Sequence, residues 1–121
     1  LAQLEVESGS AIVEQLGLEG NNNLVVTGIE NPTTVDNFDS NIWTSVDYRI
    51  QLKKGLNTYT SSISLLYSDG QINTSEYNII SDFVGIPANL DFVKSGSIIN
   101  LVVTPIEQPL EVRFYRTALK K

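Results

Sequence analysis

The chain has 121 residues, of which 41% are apolar and 18% charged, and a formal net charge of −6. That length makes one domain able to bury about two thirds of its surface, which excludes a two-lobed enzyme architecture, and the composition excludes a disordered or rod-like chain. With no Cys and no His, disulfides, thiolate catalysis and imidazole chemistry are all excluded.

Residues 1–23 read as an N-terminal arm or linker, with membership of the main sheet as the alternative. Ala11 to Leu18 fits a short helix or a strand, Gly17 and Gly20 interrupt either, and Gly20-Asn21-Asn22-Asn23 is a turn or linker signal. The opening Leu-Ala-Gln-Leu-Glu lacks the basic start of a signal peptide. The lack of an initial Met fits a processed product or part of something longer. No apolar run approaches the eighteen or so residues that span a bilayer.

Residues 24–121 read as one β domain. Leu24–Ile29 forms a first strand, ended by Glu30-Asn31-Pro32 because Pro32 has no backbone donor and restricts its predecessor. A loop or short edge segment is expected up to Ser40. Asn41–Lys53 is the clearest strand: Ile42, Thr44, Val46, Tyr48, Ile50 and Leu52 share the dry face. Trp43, Ser45, Asp47, Arg49, Gln51 and Lys53 share the wet one, with Trp43 expected to cover a sheet end or cap the core. After the turn Lys54–Asn57, Thr58–Tyr67 alternates again, with Tyr59, Ile63, Leu65 and Tyr67 opposite Thr60, Ser62 and Ser64. Asp69-Gly70 predicts a tight hairpin into Gln71–Ile80, since such turns require positive φ.

A loop over Ser81–Ala88 leads to a short strand around Leu90 and Phe92. Ser95-Gly96 turns the chain into the apolar strand Ile98–Thr104. Pro105 and Pro109 bracket the last connection, and Glu111–Arg116 closes the domain with Val112 and Phe114 inward and Glu111 and Arg113 outward. Val, Ile and Thr make up 32 of the 121 residues, which suits pleated sheet better than long helices. The expected fold is all-β, an antiparallel β-sandwich or partly closed barrel of about seven or eight strands.

Charge is unevenly spread. Residues 1–48 carry eight acids and no base, whereas residues 49–121 carry eight bases and six acids, a balance of +2. An acidic chain lacks the clustered positive charge of a nucleic-acid binder, and neither a nucleic-acid nor a membrane partner is expected. The acidic first part either solubilises a surface or meets a positive partner, and Arg113, Arg116, Lys120 and Lys121 offer such a partner in a head-to-tail contact between copies.

Chemistry has few candidates. Asp36, Asp39 and Asp47 are oxygen donors for a hard cation, but no calcium-loop pattern surrounds them and Asx turns explain them better. Glu76 and Asp82 are a conceivable acid pair near a strand end, with nothing to single them out from the other acids. Asn73-Thr74-Ser75 matches a glycosylation triplet that matters only in a secretory context. No catalytic residue, metal or cofactor is expected. The candidate interface residues are Trp43, Tyr59, Tyr67, Tyr77, Arg113, Tyr115 and Arg116, aromatics and arginines being the usual anchors of protein contacts.

From Val35 onward the chain resembles a β domain recurring in virion structural proteins of tailed bacteriophages, especially those of marine and cyanobacterial hosts. The resemblance rests on Val35–Ser40, Trp43–Gln51, Leu65–Gly70 entering the Asp-Gly turn, and Thr74–Tyr77. It continues through Ser95–Pro105 and the closing Val112–Leu119, about 85 residues in the same element order. The chain departs from the pattern at Val46-Asp47, where Ala-Lys is frequent, and at Ser68, where His is frequent. The resemblance implies a non-catalytic component of capsid, neck, baseplate or fibre, on the outer surface of head or tail. Its partners would be other virion proteins, contacted as a homo-oligomer or as many lattice-bound copies. The alternative is a receptor- or glycan-binding domain of a tail fibre, with a glycan as partner.

Overall fold

The computed structural model describes residues 24–121, which form eight strands in two antiparallel sheets. The sequence expectation for residues 1–23, an arm or linker, lies outside the described residues. The strands are β1 (Leu24–Ile29), β2 (Thr33–Asp39), β3 (Trp43–Lys54), β4 (Asn57–Ser68), β5 (Gln71–Ser81), β6 (Ala88–Ser95), β7 (Ile98–Pro105) and β8 (Leu110–Lys120). A five-stranded sheet has the order β1-β8-β3-β4-β5, and a three-stranded sheet the order β2-β7-β6. This is an antiparallel β-sandwich.

Alternation builds the core. Val46, Tyr48, Ile50 and Leu52 of β3, Tyr59, Ile63 and Leu65 of β4, and Val112 and Phe114 of β8 are buried against Phe38 of β2 and Ile99, Leu101 and Val103 of β7. The β4–β5 hairpin turns at Asp69 and Gly70, both with positive φ (54° and 75°), the conformation that a two-residue turn with both central residues left-handed demands.

One expectation is narrowed and two are corrected, each for a backbone reason. The stretch before Ser40, expected as a loop or short edge segment, is the edge strand β2 of seven residues, so the second alternative holds. Its ladder with β7 shifts between Thr34 and Asp36, so the extra residue Val35 turns both Asp36 and Phe38 inward. The start of β3 is inverted: its ladder with β8 shifts between Trp43 and Ser45. Trp43 is therefore only 2% exposed, while Ile42, assigned to the dry face, is 45% exposed. Finally, β8 does not stop at Arg116 but pairs with β3 as far as Lys120.

Replacing Ile50, buried between the sheets, with Asp is expected to cost about 3 kcal/mol or more, because an unpaired carboxylate would be left in the core. Lys53→Gln on the wet face of the same strand should change stability by less than about 0.5 kcal/mol. Urea unfolding midpoints compare the two directly.

Candidate interaction surface

One polar constellation lies inside the sandwich. Arg116 on β8 is register-paired with Tyr48 on β3, and Asp36 reaches both from β2 in the opposite sheet. The Arg116 Nη1 donates to Asp36 Oδ2 at 2.6 Å and to the Asn37 carbonyl at 2.8 Å, and the Tyr48 hydroxyl donates to the same Asp36 Oδ2 at 2.7 Å. The Arg116 guanidinium also lies 5.5 Å from the centre of the Phe38 ring. Burial, then the negative charge of Asp36, hold the Tyr48 phenol well above its ordinary range.

This geometry corrects the surface role expected of Arg116, which is 1% exposed and cannot reach a neighbouring copy. Trp43 and Tyr59 are likewise buried within the chain. Trp43 contributes to the sheet end, with the Lys120 ammonium 5.9 Å from its ring centre. Tyr59 donates from its hydroxyl to Glu76 Oε2 at 2.6 Å. Burial first, then that hydrogen bond and the charge of Glu76, push the Tyr59 phenol up to about 12.

The remaining candidates stay at the surface. Tyr67 is half-buried, with the Lys94 ammonium 5.8 Å from its ring centre. Tyr77, Tyr115 and Arg113 all lie on the outer face of the five-stranded sheet, and strand order brings them together. Tyr115 on β8 pairs with Arg49 on β3, Arg49 with Ser62 on β4, and Ser62 with Tyr77 on β5. The adjoining row is Arg113, Gln51, Thr60 and Ile80. Arg49, which reads in sequence as an ordinary wet-face residue, thus stands at the centre of the outer face. Its guanidinium donates to Ser62 Oγ at 3.0 Å and to Thr60 Oγ1 at 3.5 Å. Arg113 pairs with Glu111 at 3.2 Å. Between these rows lies a shallow groove of about 190 Å³.

The edge beyond this face is unusual. β5 is an outermost strand of eleven residues, and every one except the half-buried Ile72 is exposed. It contains no Lys, Arg or Pro and a single charge, Glu76. Its ladder with β4 shifts between Thr60 and Ser62, placing Asn78 and Ile79 opposite Ser61, with Asn78 at a φ of 55°. Ile79 and Ile80 are exposed there, and in the loop that follows Val84 and Ile86 are too. On the inner side, a cleft of about 310 Å³ separates β5 from β6, with Ile63, Ile72, Leu90 and Phe92 among its apolar walls and Glu76 at its polar side.

The acids considered for chemistry are dispersed. Asp39 accepts from the Asn41 backbone amide at 2.9 Å, an Asx turn, and Asp47 accepts from Ser64 Oγ at 2.7 Å. Asp82 accepts from the Thr58 amide at 2.7 Å, while Glu76 holds Tyr59. Among the described residues no group of three or more acidic, His or Cys side chains converges as a metal site would require.

No protein-family model and no curated protein sequence matches the chain. Among solved structures, the sandwich is similar to a region of the tailspike protein of Acinetobacter baumannii phage AM24, with a TM-score of 0.51 and 10% identity. The similarity covers 83% of this chain and 26% of the tailspike chain, so this chain matches about a quarter of that protein's length. At that identity the likeness is one of fold.

Two outcomes test the geometry. Arg116→Met should lose about 3–5 kcal/mol by stranding the Asp36 carboxylate, whereas Asp36→Leu combined with Arg116→Met should lose much less than either change alone. Denaturant unfolding measures both. Tyr59 has a folded pKa of about 12 against an ordinary 10.0, so the folded state keeps a proton that the unfolded state releases. Its stabilising contribution is complete below pH 10 and is lost as pH rises toward 12. Tyr59→Phe should flatten that alkaline decline.

Proposed function

We propose that this chain is a non-catalytic structural domain of a tailed-phage particle, an assembly or decoration module that makes repeated contacts with other virion proteins on the outer surface of head or tail. The motif-by-motif resemblance to virion β domains and the fold likeness to a tailspike region support the phage setting. The observation that carries the contact role is β5. Isolated proteins protect a sheet edge with lysines, prolines or strong distortion, because unpaired backbone groups recruit other chains. β5 has the distortion at Asn78 and one inward-facing charge, Glu76, and it adds exposed Ile79 and Ile80, the latter 70% exposed. Such an edge suits strand addition, where main-chain hydrogen bonds supply affinity and alternate side chains supply selectivity. Many copies on a symmetric lattice then add avidity without any single strong site.

Substituting Ile79→Lys and Ile80→Lys together should change stability by less than about 0.5 kcal/mol, since both side chains are exposed. The same pair should abolish incorporation into particles, read by imaging particles assembled with wild-type or variant chain. Full incorporation of the variant would overturn the contact role of β5. Saturable binding of a glycan by particles that already carry this chain, lost on Tyr77→Ala, would instead support the receptor-binding alternative.

A further inference from the structure

The groove on the outer face of the five-stranded sheet has a chemistry that the contact role of β5 does not use. Its polar side chains are Arg49, Gln51, Thr60, Arg113 and Tyr115, all hydrogen-bond donors, and no acidic side chain lines it. Arg49 spends its guanidinium on two neutral hydroxyls, and among the described residues no carboxylate lies within ion-pair distance of it. Arg113 has Glu111, but that pair is well exposed and worth little. Two guanidiniums on adjacent strands, one row apart, form a fork for a carboxylate, which arginine binds with two parallel hydrogen bonds.

The sequence holds a matching donor of carboxylates. Residues 1–23 contain Glu5, Glu7, Glu14 and Glu19 and no basic residue. The chain enters the sheet beside the groove: Leu24 is in register with Phe114 and Val25 with Arg113. Leu24 lies five residue steps from Glu19, which span at most about 17 Å. Arg49 lies two strands from β1, about 10 Å at ordinary strand spacing. A glutamate so tethered meets the two arginines at an effective concentration in the millimolar range, far above that of an unattached acid of equal affinity.

We infer that the groove between Arg49 and Arg113 is a carboxylate-binding site whose occupant is the glutamate-bearing segment that precedes β1. The site is independent of the β5 edge, so either assignment can fail without the other.

The test uses full-length chain and side-chain Nε–Hε NMR signals of Arg49 and Arg113. Changing Glu5, Glu7, Glu14 and Glu19 together to Gln should shift both signals, with the melting temperature unchanged. Adding a peptide of residues 1–23 to that variant should return them toward their original positions, and the all-Gln peptide should not. Arg49→Gln should weaken peptide binding about tenfold or more, the scale of a lost charge-assisted hydrogen bond. Signals indifferent to the four Glu→Gln changes would overturn the assignment. So would a response to glucuronate with none to the peptide, which would mark a site for acidic sugars instead. An effect of protein concentration on the wild-type signals would show the segment reaching a neighbouring copy; no such effect would show it acting within its own chain. Both results keep the site.

Discussion

The contact on which the sandwich depends is the ion pair between Arg116 and Asp36. Two sheets that share only an apolar core can slide on one another, and this chain has no Cys to fix them. Arg116 belongs to the five-stranded sheet and Asp36 to the three-stranded sheet, and both side chains are removed from water. Burying two charges costs several kcal/mol each, so the arrangement is stable only when every partner is in place. Tyr48 and the Asn37 carbonyl add hydrogen bonds to it, and the Tyr48 ring is itself held by Phe92 from one sheet and Phe114 from the other, at centroid distances of 5.6 and 6.0 Å. A sheet displaced by one residue would leave the carboxylate without its guanidinium. The pair therefore selects one registry of the two layers more than it adds net stability.

That registry also determines which arginine is available outside. On β8 the side chains at 112, 114 and 116 point inward, and those at 113 and 115 outward. Arg116 and Arg113 carry the same charge three residues apart, yet one is a core residue and the other lines a surface groove. Only the parity of the strand separates them. The outer ladder Tyr115–Arg49–Ser62–Tyr77 exists because β8 is inserted beside β3, placing the end of the sequence next to its middle.

Much of this was legible in sequence, and the exceptions share a cause. The strands β3, β4 and β7, the Asp69-Gly70 turn and the inward Val112 and Phe114 follow from alternation and from residues that tolerate positive φ. Alternation fails wherever a bulge adds a residue, and the bulges at Val35, Thr44 and Asn78 carry little compositional signal. Each reverses the faces on one side of it, which hid the inward faces of Trp43 and of Asp36 in the edge strand β2. For the candidate surface, exposure of Tyr77, Arg113 and Tyr115 was readable from strand parity. The centrality of Arg49 was not, because it depends on a neighbour more than sixty residues away. Nor was the burial of Arg116, since a charged residue near a strand end looks alike whether or not a distant aspartate awaits it.

The unequal size of the two layers separates what holds the domain together from what it offers to other molecules. Three strands cannot cover five. The inner faces of β3, β4 and β8 are buried, but β5 extends past the cover and keeps only Ile72 partly enclosed. Its apolar side chains contribute little to the core, so they are not needed for folding in the way Leu101 or Phe114 is. Exposed apolar atoms on an unpaired edge raise the risk of unwanted association while adding little to the stability of the single chain. The Asn78 bulge twists the far end of the strand, where Ile79 and Ile80 stay exposed beside the regular stretch Gln71–Tyr77. A partner strand meeting that stretch would find an edge already held straight by β4, which lowers the ordering cost of association.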